Sequence, residues 1–129
     1  MSELKMKAIK AAGLFLERRG CEVLEKGWSS EDGGAIDVVA RDEDTIVFCD
    51  VYARRGVEKG MPTDGGEGSR ERREIDAAKW LAEHASDPEL VDAPIRFDTI
   101  SMLVVGEDRA LLRHHINCLG SGTIASSTD

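Results

Sequence analysis

Apolar residues recur at helical spacing from the start of the chain. Leu4, Ala8, Ala11 and Phe15 form one stripe, and Ile9, Ala12, Gly13 and Leu16 widen it at spacings of three, four and seven. The pattern predicts a helix from a Ser2 cap to about Arg19, stopped by Gly20 in the left-handed conformation, with Lys5, Lys7, Lys10, Glu17 and Arg18 in water. From residue 21 to 28 a weak alternation of Cys21, Val23 and Glu25 with Glu22, Leu24 and Lys26 reads as a strand. A polar, glycine-rich turn at residues 29–34 leads into a Val- and Ile-rich second strand over 35–41. After the short connection Asp42-Glu43-Asp44, residues 45–52 are almost continuously apolar, as in a central strand covered on both faces. Asp50 interrupts that run, and strand alternation puts it on one face with Ile46, Phe48 and Tyr52.

Breakers dominate residues 55–69, where Gly56, Gly60, Pro62, Gly65, Gly66 and Gly68 predict a long loop. The run Gly65-Gly66-Glu67-Gly68-Ser69 offers either a flexible linker or a phosphate cradle at a helix start, though it matches no nucleotide-binding fingerprint. A second helix follows from near Ser69 to His84, with Ile75, Ala78, Leu81 and Ala82 expected toward the core and Arg70, Arg73 and Glu74 solvated. Strands over 96–105 and 110–116, joined at Gly106-Glu107-Asp108, complete a domain over residues 1–118, and residues 119–129 read as a disordered Ser/Thr/Gly tail. The order αβββαββ, with a helix free to cross over, predicts an α/β sandwich: a mixed sheet of about five strands with helices on its faces.

At 129 residues the chain suits one domain, and 41% apolar with 33% charged residues is globular composition. No stretch approaches the roughly 20 apolar residues of a membrane span, and the first residues lack the layout of a signal peptide, so a cytoplasmic protein without a membrane partner is expected. Cys21, Cys49 and Cys118 are widely spaced and form no C-x-x-C pair, which favours reduced, mostly buried thiols over a disulfide framework or a zinc site. The net charge of −8 opposes nonspecific attraction to polyphosphate. Its distribution is uneven: residues 52–73 hold six basic and four acidic side chains, leaving that stretch at +2 and the remainder at −10. Any anion-binding surface should therefore lie beside the Asp50 strand.

Asp37 and Asp50, on neighbouring predicted strands, are a pair able to hold Mg²⁺, which takes hard oxygen ligands and commonly needs only one or two protein carboxylates. The blocks Leu16-Glu17-Arg18-Arg19-Gly20, Gly34-Ala35-Ile36-Asp37-Val38-Val39-Ala40-Arg41-Asp42, Val47-Phe48-Cys49-Asp50-Val51-Tyr52-Ala53-Arg54 and Arg96-Phe97-Asp98-Thr99-Ile100 follow in the order and spacing of the YraN-like family, which the chain resembles over residues 8–118. That resemblance implies the restriction-endonuclease-like, PD-(D/E)xK nuclease fold, in a bacterial family whose nuclease activity is generally inferred. The family's second strand usually reads G-E-I-D, its third E-V-K-x-R, and its first helix carries a glutamate before an A-A pair. Asp37 and Arg54 match, and Asp50 keeps a carboxylate in place of glutamate. Ala35 removes an acid, Tyr52 stands at the lysine position, and Ile9 is the counterpart of the helix glutamate.

In such a site the metal activates water and neutralises developing charge, with the lysine as a second cation. Tyrosine, with a pKa of about 10, brings no positive charge at neutral pH. Loss of one positioned electrostatic or acid–base group costs about 10²–10⁴ in rate. An apolar wall at Ile9 would further disfavour paired carboxylates. Charge could be restored by Glu31, Asp32, Arg55 or Lys79, or the two aspartates could be structural, satisfied by backbone donors or arginines. The resemblance therefore implies catalytic positions at Asp37, Asp50 and Tyr52, and Mg²⁺ or Mn²⁺ bound weakly or not at all by Asp37 and Asp50. Nucleic-acid contacts are expected from Arg54, Arg55, Arg70, Arg72 and Arg73, with DNA favoured over RNA. The leading expectation is a nucleic-acid-binding protein of nuclease ancestry whose cleavage is lost or strongly impaired. The alternatives are an active Mg²⁺- or Mn²⁺-dependent endonuclease and a protein-interaction or dimerisation module.

Overall fold

The first helical stripe folds as its spacing requires. In α1 (Glu3–Arg18) the Ser2 hydroxyl accepts from the Lys5 amide at 3.1 Å, and Gly20 closes the end at φ +93°. Ala8, Ile9, Ala12, Gly13 and Leu16 are buried. The computed structural model describes residues 2–56, 60–62 and 69–118. Within them lie strands β1 (Glu22–Ser29), β2 (Ala35–Asp42), β3 (Thr45–Arg55), β4 (Ile95–Val104) and β5 (Ala110–His115), and helices α2 (Ser69–Glu83) and α3 (Pro88–Val91). The single turn α3 was not foreseen; Asp87 caps it by accepting from the Glu89 amide at 3.0 Å, with Pro88 in the first turn.

The five strands form one sheet in chain order, antiparallel except for the parallel pair β3 and β4, which the α2 crossover permits. The α/β sandwich is thus as expected. β3 runs three residues beyond its predicted end, because Ala53, Arg54 and Arg55 pair in register with Met102, Leu103 and Val104 of β4. Two arginines end this strand, so composition concealed the extension.

Each face of the sheet buries its own cluster. Leu16 of α1 packs with Val38, Val47, Val51 and Ile100, and Trp80 of α2 with Trp28, Ile46, Phe48 and Phe97. Two tryptophan N–H groups fasten α2 to the first strand: Trp80 donates to Glu25 at 2.8 Å and Trp28 to Glu83 at 3.0 Å.

The buried face of α2 differs from the expected one. Ser69, Arg73, Asp76, Ala77 and Trp80 are buried, Leu81 is half-buried, and Ile75, Ala78 and Ala82 are exposed. A stripe that includes a paired Arg and Asp is invisible to hydrophobic periodicity, which sorts charged residues to solvent. Lys5 is also corrected, being partly buried with an ion-pair partner. The cysteines are free; Cys49 is buried, Cys21 half-buried, and Cys118 exposed rather than buried. Burial pushes the Cys49 thiol well above its ordinary pKa. Among the described residues no helix is long and apolar enough to cross a membrane. The expected tail at 119–129 and all but Ser69 of the 65–69 run lie outside the described residues.

The α2 register sets unequal costs for truncation. Trp80→Ala should destabilise the protein by about 3–5 kcal/mol, whereas Ile75→Ala should stay within about 0.5 kcal/mol of the parent, both measured by denaturant unfolding. Equal losses would restore the Ile75 face.

Candidate functional site

The β2–β3 ladder runs from Asp42 opposite Thr45 to Val38 opposite Cys49 and stops there. One step further on, the backbone of Val51 is served by side chains. Its N–H donates to Asp37 Oδ2 at 2.7 Å, and its carbonyl accepts from the Lys5 ammonium. The same ammonium pairs with Asp37 Oδ2 at 2.8 Å and lies 5.6 Å from the Tyr52 ring centroid. Side-chain alternation breaks at Asp37: Ile36 belongs to the cluster under α2, Val38 to the cluster under α1. Asp37 and Lys5 thus satisfy the polar backbone that separating strands would leave unpaired.

Asp50 lies on the α2 side of this fork and is 7% exposed. Its Oδ2 receives Arg72 Nη2 at 3.1 Å, Arg73 Nε at 3.2 Å and the Tyr52 hydroxyl at 3.4 Å. The structure brings Asp37, Asp50 and Tyr52 together around the Asp50–Val51 peptide. Ile9 lies in the apolar cluster under α1.

Arg73 requires correction as a phosphate contact. It is 3% exposed, and its guanidinium donates to the carbonyls of Phe48 and Asp98 at 3.2 and 2.6 Å and to Thr99 Oγ1 at 3.3 Å. These bonds join α2 to the parallel pair from inside, leaving no guanidinium face for a ligand. Arg72 is half-exposed, with Nη1 3.6 Å from Asp76 Oδ2. Arg55 and Arg70 are exposed, while Arg54 is half-buried and donates to the Gly60 carbonyl at 3.3 Å.

Three groups escaped the sequence reading. Asp76, 4% exposed, brings a carboxylate beside the Ala35 amide, which donates to it at 3.4 Å. Gly34 permits this approach, since a Cβ there would stand 2.6 Å from Asp76 Oδ1. The spacing of four between Arg72 and Asp76 was the available signal. Strand register also aligns Asp50 with Thr99 and His115, and Tyr52 with Ser101 and Arg113. Directly opposed residues share a face, so exposed Arg113 and His115 lie on the sheet face of Asp50. Only a known strand order reveals that. Third, Lys5 reaches the fork, whereas the anticipated Lys79 pairs with Asp32 at 2.9 Å and Arg55 ends β3 in solvent.

Behind Arg73, Asp98 is fully buried. Arg96 grips it at 2.9 and 3.0 Å, His114 Nε2 lies 2.8 Å away, and the Asn117 amide donates at 2.8 Å. Burial opposes its charge, but the bonds from His114, Arg96 and Asn117 outweigh that penalty and hold its pKa below the ordinary value.

The fork offers hard oxygens of the kind Mg²⁺ or Mn²⁺ takes, namely Asp37 Oδ2 and the Val51 carbonyl, with Asp50 adjoining. As arranged they do not fit a divalent ion, because Lys5 holds the first two and Arg72 and Arg73 hold the third. Among the described residues no three or more His, Cys, Asp or Glu side chains group as a metal site.

The class is an α/β sandwich in which β2 and β3 part beside Asp37 and Asp50. The profile of the Uncharacterised protein family UPF0102 matches residues 10–102, and the chain belongs to that family, which is the YraN family. It is 43% identical over 94 residues to a UPF0102 protein of Parafrankia sp. (strain EAN1pec), covering 70% of this chain and 74% of the relative. Identity to the UPF0102 protein of Beutenbergia cavernae is 35% over 108 residues, 81% of this chain and 86% of that one. With a Streptomyces griseus UPF0102 protein it is 33% over 105 residues, 80% and 84% respectively.

Two predictions follow from the ion pairs. Arg73→Met should cost about 3–5 kcal/mol, because it removes a buried partner of Asp50, while Arg72→Ala, at a half-exposed pair, should cost about 1 kcal/mol or less; urea titrations compare them. Because the folded pKa of Asp98 is depressed, its contribution is complete above the unfolded value of about 3.9 and is lost as pH falls through the folded value. Stability measured from pH 7 to pH 3 should therefore fall more steeply below about pH 4 in the parent than in Asp98→Asn.

Proposed function

We propose that this chain is a nucleic-acid-binding protein of nuclease ancestry whose cleavage chemistry is lost or strongly impaired. One observation carries the proposal: both carboxylates of the candidate metal pair are already bonded to the protein's own cations, Asp37 to Lys5 and Asp50 to Arg72 and Arg73. A metal entering the fork would meet three positive groups, and Tyr52 adds none. The metal's tasks of activating water and neutralising the transition state therefore have no prepared site.

Binding is supported by the surface around the fork. Arg70 and the exposed half of Arg72 lie on the α2 side, where Arg113 and His115 extend the sheet face of Asp50 and Tyr52, whereas Arg55 lines a pocket with Leu4, Lys7 and Ala11 on the α1 face. Arginine on a rigid strand or helix is suited to phosphate, and such contacts position a nucleic acid without reading its sequence. With a net charge of −8, binding depends on this local surface rather than on the overall field.

The test is a salt series with duplex, single-stranded and branched DNA, and RNA for comparison. Binding should weaken with salt, and Arg72→Ala and Arg113→Ala should each lower the slope of log affinity against log salt by about one. Absence of salt-sensitive binding to every ligand would remove the proposal. Mg²⁺- or Mn²⁺-dependent cleavage abolished by Asp37→Asn would replace it with the active endonuclease.

A further inference from the structure

We infer that Lys5 is a resident cation standing where the fork would otherwise take a divalent metal, so that the protein carries a latent metal site closed by its own ammonium. The inference deepens the proposed function and rests on its reading of the fork as a former metal site. Three observations carry it. First, the Lys5 ammonium is bonded at once to Asp37 Oδ2 and to the Val51 carbonyl, two hard oxygens from different strands converging on one positive centre. Hard oxygens converging on a point are what Mg²⁺ or Mn²⁺ requires.

Second, the lysine is delivered by a fixed element. Lys5 lies in the first turn of α1, where its amide bonds the Ser2 cap, and the following turn is locked by buried Ala8 and Ile9. The side chain is 31% exposed, and its ammonium also faces the Tyr52 ring at 5.6 Å. Third, the lysine performs the structural work a metal would do here, neutralising Asp37 and satisfying a carbonyl at the point where the ladder has ended. The ammonium occupies the point on which those two oxygens converge and repels a dication there, so metal binding at that point requires Lys5 to move.

The test measures Mn²⁺ binding to the full chain without nucleic acid, by electron paramagnetic resonance of free Mn²⁺ and by calorimetry. Lys5→Met, which keeps the aliphatic stem, should bind Mn²⁺ at least about tenfold more tightly than the parent, since even water-screened repulsion at contact distance amounts to that factor. Lys5→Arg should remain as weak as the parent, and Asp37→Asn added to Lys5→Met should erase the gain. In the parent itself, ¹⁵N spectra of lysine ammonium groups should show one signal protected from solvent exchange that disappears in Asp37→Asn, a readout independent of whether Lys5→Met folds. Equal Mn²⁺ affinity in the parent and Lys5→Met, a gain that survives Asp37→Asn, or the lack of a protected ammonium would overturn the inference. Each outcome is read without nucleic acid, so failure here leaves the salt-dependent binding through Arg72 and Arg113 standing, and failure of that binding leaves the metal result standing.

Discussion

A guanidinium buried between a helix and a sheet must have every donor and its charge satisfied, and Arg73 meets that demand by binding Asp50 together with the carbonyls of Phe48 and Asp98. This constraint orders much of the surrounding structure. It fixes the rotation of α2, which places Asp76 and Trp80 inward and Ile75 outward. It ties that helix to both strands of the parallel pair. It also commits Asp50 to an internal partner, so that carboxylate is part of the scaffold.

Asp37 is committed by a different route. The ladder between β2 and β3 ends at Val38, and the carboxylate and the Lys5 ammonium replace the backbone partners that Val51 lacks. The two acids are thus neighbours around one peptide yet are neutralised from opposite layers, one by α1 and the other by α2. A single substitution in either helix therefore alters the charge at only one of them.

The architecture was legible because its signals are repetitive: the α1 stripe, the Val- and Ile-rich second strand and the apolar run of β3 each repeat a period over many residues. The aspartates were legible as interruptions of those runs. What sequence could not show depended on pairing. Arg73 read as a surface residue and Asp76 drew no assignment, because burial of a charge is decided by its partner, not by its own hydropathy. Lys5 was assigned to water for the same reason, although it reaches the fork from the end of an amphipathic helix. Arg113 and His115 joined the Asp50 face only through the register of β4 against both neighbours. Extension of β3 to Arg55 was hidden because its final residues are stabilised by ladder bonds rather than by apolar character.

The parallel seam between β3 and β4 also divides the two acids by the element that supplies their cations. The cation of Asp37 comes from α1, whereas those of Asp50 come from α2, the crossover between the two parallel strands. Undocking the second helix would therefore strip Asp50 of both guanidinium groups while leaving Asp37 paired with Lys5.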